Sequence, residues 1–103
     1  MEGVAGFDWD EGNREKCEWH GVAAAAIESI FLGPVTVFPD SVHSTAEERL
    51  KAIGRTSDRR HVLIVFTFRM RDEERPGRPI SARYMHRKEV AYYEEEAAKL
   101  ANR

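Results

Sequence analysis

The feature that most constrains the fold is the run at residues 61–68, which reads HVLIVFTF. Apolar residues occupy both even and odd positions of this run, so a strand built from it is hydrophobic on both faces. Such a strand is stable where both faces and both edges are covered, which is the position of an interior strand. We therefore predict a sheet in which residues 61–68 form a central strand.

The remaining pattern predicts seven further elements around this strand. Asp10 can accept hydrogen bonds from the free N–H groups of a helix that begins after it, Gly21 can end that helix at positive φ, and Gly33 with Pro34 ends the next one. We expect strands at residues 4–9, 35–38, 48–55 and 80–84, and helices at residues 10–19, 22–31 and 86–101. The order is β-α-α-β-β-β-β-α, an α+β fold with a mainly antiparallel sheet flanked by helices.

The last helix carries apolar residues at helical spacing. These residues are Val90, Tyr93, Ala97 and Leu100. Because they recur on one side of a helix, we expect all four to dock on the sheet.

Length and composition predict one domain that lies in the cytoplasm. The chain has 103 residues and one cysteine, Cys17, so an intramolecular disulfide is impossible and the composition fits a reducing compartment. No apolar run approaches the ~20 residues of a membrane span, and the acidic N-terminus does not resemble a signal peptide. The four histidines are not spaced like metal ligands on one helix face, so we expect no metal and no cofactor.

Charge is distributed unevenly along the chain. The formal net charge is −2, yet residues 55–88 contain ten Arg and Lys and four Asp and Glu, a local net charge of +6. Such a segment either forms a face that binds a polyanion or scatters its arginines over a solvated surface. The sequence leaves both alternatives open.

The residue types are compatible with metal-independent cleavage of RNA. This reaction needs a base for the 2′-hydroxyl, a cation for the pentavalent phosphate and an acid for the leaving oxygen. The candidates for proton transfer are His20, Glu48 and His86, and those for binding phosphate are Arg55, Arg83 and Lys88.

Each candidate also has a structural interpretation. His20 could simply end the first helix, Glu48 could be a solubilising charge at a sheet edge, and Arg83 could form a buried ion pair. In a strand at residues 80–84, Ser81 and Arg83 project from the same face. If Arg55 shares that face, the two arginines would clamp one phosphate, with Glu48 alongside. Trp9 and Trp19 fit anchors in a core or an interface better than platforms for bases.

Several segments, in this order and spacing, resemble the BrnT family of toxins over about residues 5–97. They are residues 7–13, 16–17, 20–22, 39–40, 43–44, 47–50, 52–55 and 78–83, followed by Glu89 and Tyr93. One departure stands out, because the family usually has a lysine before the His-Gly pair and this chain has Trp19.

The resemblance implies a RelE-like fold and a ribonuclease toxin that stops translation. It implies a BrnA-like antitoxin that neutralises the toxin, and contact with operator DNA only through that antitoxin. The implied catalytic residues are His20, Glu48, Arg55 and Arg83, and the implied RNA-binding residues are Lys88, Tyr93 and the substituted position Trp19. Two alternatives remain: an inactive member of the fold that only binds antitoxin or RNA, and an unrelated α+β domain.

Overall fold

The computed structural model describes residues 6–42, 47–70 and 73–101. In chain order the elements are α1 (Glu11–Glu18), α2 (Ala24–Leu32), β1 (Thr36–Pro39), β2 (Leu50–Arg55), β3 (His61–Phe68), β4 (Gly77–Tyr84) and α3 (Arg87–Ala101). The predicted α+β class is confirmed, and the predicted helices and strands differ from these bounds by a few residues at their ends.

The four strands form one sheet in chain order, β1-β2-β3-β4, and every pair is antiparallel. The run that was predicted to be central is β3, and it lies between β2 and β4 as expected. The predicted first strand at residues 4–9 falls partly outside the described residues. Its described part forms a single parallel bridge, from Phe7 to Gly77 of β4.

Helix α1 begins as the sequence predicts. The carboxylate of Asp10 accepts from the backbone N–H of Asn13 at 2.9 Å, and the side-chain oxygen of Asn13 accepts from the backbone N–H of Asp10 at 2.7 Å. The buried amide of Asn13 also donates to the carbonyl of Pro79 at 2.8 Å, which ties α1 to β4. After α1, Gly21 has the expected positive φ of 85°.

One face of the sheet packs against α1 and α2 and contains the core. Alternate residues of the strands point to this face, among them Ala52, Val62, Ile64 and Ala82, all at most 2% exposed. The helices contribute Cys17, Ile27, Ile30 and Phe31. Phe31 packs edge-on against Phe66, with ring centroids 5.0 Å apart, so aromatic contacts join α2 to the interior strand.

Helix α3 lies over the opposite face, and its C-terminal half does not dock as the sequence predicts. Tyr93 is half-buried, but Leu100 is 63% exposed and Ala97 is exposed as well. The prediction that all four apolar positions dock is therefore wrong for these two. The reason is geometric: a 15-residue helix spans about 22 Å, longer than the width of four strands, about 15 Å.

No helix in the described parts of the chain is long and apolar enough to cross a membrane.

Candidate active site

The face of the sheet beneath α3 carries the sequence-predicted arginines. Strand pairing aligns Thr36, Ile53, Leu63 and Arg83 in one row across β1 to β4. Helix α3 is attached near both ends of this row. Its first turn contacts Arg83, and the hydroxyl of Tyr93 lies 2.6 Å from that of Thr36. The row therefore marks the path of α3 across the sheet.

Arg83 is held by a carboxylate from α3. Its Nη1 and Nη2 donate to Oε1 and Oε2 of Glu89 at 2.7 and 2.8 Å, and Oε1 of Glu89 also accepts from the backbone N–H of His86 at 2.9 Å. The hydrogen bonds from Arg83 lower the pKa of Glu89 to about 2, and they raise the pKa of Arg83. Glu89 thus stays ionised at neutral pH, which makes it unsuitable as a proton donor.

The ion pair is only partly shielded from water. The Arg83 side chain is 39% exposed and the Glu89 side chain is 34% exposed. The sequence left a buried ion pair and a position on a functional face as alternatives for Arg83. In the structure, Arg83 forms a partly exposed ion pair with Glu89 and also borders a small cavity.

His20 and Arg83 line the same small cavity, which we call the His20 cavity. Its volume is about 80 Å³, and its other lining residues are Leu63, Val65, Ser81 and Ala82. His20 reaches it from the turn that follows α1, and it is exposed. Ser81 and Arg83 share this face of β4, as the alternation predicts. A volume of this size holds a few water molecules, so it suits a small group such as phosphate better than a whole nucleotide.

Arg55 lies in a different and larger cavity, which we call the Arg55 cavity. Its volume is about 640 Å³, and its polar lining includes Thr36, Arg55, His61, Tyr93 and Glu94. Arg55 pairs with His61 in the register of β2 and β3, one row away from Leu63 and Arg83. Tyr93, which was predicted to bind RNA, is therefore grouped with Arg55.

Helix α3 separates Arg55 from Arg83. Glu94 lines the Arg55 cavity, while Lys88, Glu89 and Tyr92 line a mostly apolar groove of about 710 Å³ on the other side of the helix. Tyr93 lines both spaces and forms the ridge between them. The two arginines share a face of the sheet, but the structure does not bring them together as one clamp.

Glu48 lines neither cavity. It precedes β2, whereas Arg55 ends that strand, and the strand itself spans about 17 Å at ~3.4 Å per residue. The backbone carbonyl of Glu48 accepts a hydrogen bond from the hydroxyl of Thr67 at 2.7 Å. The exposed side chain lies at the opposite end of the strand from Arg55, so Glu48 does not accompany the arginines.

The two tryptophans have different surroundings. Trp9 packs against the core, and its indole N–H donates to Glu28 at 2.8 Å, so it is an anchor as predicted. Trp19 is 83% exposed, so the core alternative is wrong for this residue, and its role as an anchor in an interface stays a prediction. Trp19 is the residue that caps the C-terminus of α1, next to His20, and its ring is exposed to solvent.

Part of the basic segment is neutralised or packed away from both cavities. Arg78 donates to Asp8 and Asp10 at 3.3 and 2.8 Å, Arg60 stacks on Tyr84, and Arg75 stacks on Phe68. These three arginines therefore line neither cavity, and of the three only Arg78 is paired with carboxylates.

Sequence reasoning missed His61 and Glu94 as site residues. His61 was assigned only to the central strand, but its side chain is 10% exposed and its Nε2 lies 3.7 Å from Oε1 of Glu94. One sequence signal could have identified His61. It lies two residues from Leu63, as Arg55 lies two residues from Ile53, so alternation places both side chains on the face opposite the core. The other predicted loop residues, His43 and Ser44, lie outside the described residues.

Among the residues that the structure describes, no group of three or more His, Cys, Asp or Glu is arranged to hold a metal ion.

Comparison with known proteins identifies the family. The family described as "Ribonuclease toxin, BrnT, of type II toxin-antitoxin system" matches residues 9–89, well over half of the chain. That range includes β1 to β4 and both residues of the Arg83–Glu89 pair. The comparison with curated proteins gives no match. The chain belongs to the BrnT family of ribonuclease toxins of type II toxin–antitoxin systems.

Proposed function

We propose that this protein is an active endoribonuclease that cleaves RNA without a metal and thereby inhibits translation. The observation that carries the proposal is the His20 cavity, where an imidazole and a guanidinium from distant parts of the chain border the same small space. The family supplies the reaction class, and these two groups fit its chemistry. RelE-like topology is part of the same proposal.

Each group has a role in this proposal. Arg83 binds the scissile phosphate and stabilises the charge that develops on it, because its fork matches two phosphate oxygens. His20 carries one of the two proton transfers, since imidazole can donate or accept a proton near neutral pH. Its exposed position at the end of α1 allows access by RNA.

Glu89 occupies the place where we expect a phosphate oxygen to bind. Its carboxylate accepts from Arg83 and from the N–H of His86, just before the first turn of α3. A phosphate offers the same type of acceptor, and the N-terminus of a helix favours negative charge. Binding of RNA therefore exchanges one anion for another at Arg83, and the exposed Lys88 adds a cation beside it.

The implied protein partner is an antitoxin, as for other type II toxins. We propose a BrnA-like antitoxin that binds operator DNA and links the toxin to its own operon. A complex that keeps a ribonuclease inactive must cover its site stably, and we expect it to bury more than ~1,200 Å² in total.

A second candidate function has one observation in its favour. Trp19 replaces the lysine that the family usually has before His20, so the His20 cavity loses a neighbouring cation. A protein weakened in this way could retain only affinity for the antitoxin or for RNA.

Growth assays distinguish these functions. Expression of the wild-type chain should arrest growth, and co-expression of the neighbouring gene product should relieve the arrest. Arg83→Ala should abolish the arrest while the protein still co-purifies with that partner. Lys99→Gln is the matched control, since it removes an exposed cation whose partner is Glu96, away from the His20 cavity. Absence of arrest by the wild type, with the partner still bound, would favour the binding module.

A further inference from the structure

The Arg55 cavity is a second polar space on the same face as the His20 cavity, across the ridge of α3. Its volume of about 640 Å³ lies within the range of small-molecule binding pockets. We propose that it binds a nucleotide of the RNA other than the one cleaved, with the phosphate on Arg55 and the base against Tyr93 and Glu94. The identity of the ligand as RNA depends on the proposed function, whereas the existence of a nucleotide pocket does not.

Arg55 provides the cationic side of this pocket. It is exposed at the end of β2, and within the described ranges it forms no ion pair. In this respect it differs from Arg83, which is engaged by Glu89, and from Arg78, which is engaged by two aspartates. A guanidinium that lies at the rim of a cavity and has no ion-pair partner in the described part of the chain is suited to two oxygens of a phosphate.

Tyr93 and His61 form an aromatic wall that is already ordered. Their ring centroids are 6.0 Å apart in an edge-on arrangement, and the hydroxyl of Tyr93 is fixed at 2.6 Å from that of Thr36. Side chains held in this way lose little conformational entropy when they bind a ligand. Proteins that bind single-stranded RNA commonly place bases on such aromatic side chains.

The pocket also offers acceptors. Glu94 is 58% exposed, and its carboxylate borders the cavity beside His61. The C-terminus of α2 also reaches the cavity through Gly33, and a helix C-terminus carries partial negative charge. These groups repel a phosphate and accept from the N–H groups of a base. The pocket therefore combines a cation for a phosphate with acceptors for the N–H groups of a base, and an isolated anion would use only the cation.

The test is a titration of the full-length protein with guanosine 3′-monophosphate, with guanosine and with inorganic phosphate, followed by the imidazole NMR signals. The signal of His61 is assigned by its loss in His61→Gln. We expect the nucleotide to shift this signal with an affinity at least tenfold above that of inorganic phosphate. Arg55→Gln should weaken nucleotide binding by about tenfold or more, as expected for loss of a charged hydrogen bond. The exposed control Lys99→Gln should leave it unchanged.

The outcomes separate this inference from the proposed function. The same titration on Arg83→Ala should still shift the His61 signal, whatever that variant does to RNA cleavage. If Arg83→Ala retains full cleavage, the proposed role of Arg83 fails, whereas the absence of cleavage by the wild-type protein refutes the proposed function; neither result affects the nucleotide pocket. The inference is overturned if the His61 signal does not respond to nucleotide, if inorganic phosphate binds as tightly, or if Arg55→Gln binds like the wild type.

Discussion

Arg83 has a specific partner because an arginine that faces the underside of a helix cannot stay unpaired without cost. Its bidentate contact with Glu89 supplies this partner from the first turn of α3. The same carboxylate accepts from the N–H of His86, so it also stabilises the start of that helix. A single residue thereby connects the stability of α3 to the availability of Arg83.

Glu89→Gln tests this connection through the dependence of stability on pH. Because folding lowers the pKa of Glu89 from 4.5 to about 2, the pair stabilises the protein above pH 4.5 and loses its contribution as pH falls toward 2. Gln still accepts the hydrogen bond from His86, so the variant removes mainly the charge. Both partners are about a third exposed, and we expect a loss on the order of 1 kcal/mol at pH 7. Chemical denaturation of both proteins from pH 7 to pH 2 should show the difference shrinking; a difference that is constant over this range would contradict the assignment.

Replacement of Trp19 by lysine tests the contribution of this position to RNA affinity, and we expect it to change stability little. The exposed ring can be replaced without loss of core packing, so Trp19→Lys should change the free energy of unfolding by no more than about 0.5 kcal/mol. A lysine beside His20 should strengthen RNA binding and steepen its dependence on the logarithm of salt concentration by about one unit. Trp9→Ala is the contrasting variant, with an expected loss on the order of 2 kcal/mol. A Trp19→Lys protein that melts as early as Trp9→Ala would refute the structural assignment, and an unchanged salt dependence would place RNA elsewhere.

Cys17 is buried in the core, and burial raises the pKa of its thiol to about 11. The thiolate is therefore scarce at neutral pH, and the sulfur is inaccessible. We expect no measurable reaction with a thiol reagent in the native state at pH 7, and complete reaction after unfolding in denaturant. Rapid reaction of the folded protein would show that α1 does not cover the core as described.

At the scale of elements, α2 approaches β2 closely at Gly54. A Cβ added at Gly54 would lie 2.5 Å from the Cγ2 of Ile30, so glycine is required for the helix to approach the strand. This contact positions the end of β2, and with it Arg55. The packing of α2 on the core face of β2 thereby determines the position of Arg55, which lies on the opposite face.

Gly54→Ala should consequently destabilise the protein. The added methyl group overfills a well-packed contact, and we expect a loss of about 1–3 kcal/mol in the free energy of unfolding. Gly12→Ala is a matched control, because it lies in the exposed part of α1, where alanine favours the helix. Thermal or chemical denaturation of both variants provides the measurement. Equal stability of Gly54→Ala and the wild type would mean that α2 does not pack on β2 in this way.

Strands and their faces were predictable because their signals are local. The apolar run at residues 61–68 indicated an interior strand from its own composition, and alternation placed Ser81 and Arg83 on one face. The exposure of Leu100 was not predictable in this way. Its spacing fits docking, and only the width of the sheet beneath α3 shows that the helix extends past it.

At the scale of the whole molecule, the grouping of site residues depends on where α3 crosses the sheet. The sequence left open whether Arg55 and Arg83 share a face, which they do, and it carried no information on the helix that lies between them. Glu48 was grouped with them because it belongs to the same predicted strand, although it lies at the far end. His61 was missed because its pattern is also that of an ordinary strand residue.

The face under α3 therefore has two polar cavities, with separate expected roles. We expect the His20 cavity to serve phosphate chemistry, and the Arg55 cavity contains an aromatic wall and a guanidinium that forms no ion pair with any described residue. The opposite face is occupied by the core. This division leaves the second face available for RNA, or for the antitoxin that excludes it.

The most direct test of the account is the rate at which purified Arg83→Ala cleaves a single-stranded RNA in the presence of a metal chelator, with its fold verified by circular dichroism. The wild-type protein should cleave the RNA under these conditions. The variant should stay folded and lose about a hundredfold or more in rate, the usual cost of removing one contact to transition-state charge. Arg83→Lys should recover only part of this loss, since a point charge cannot replace the bidentate fork. Cleavage by folded Arg83→Ala at the wild-type rate would contradict the central claim that Arg83 binds the scissile phosphate.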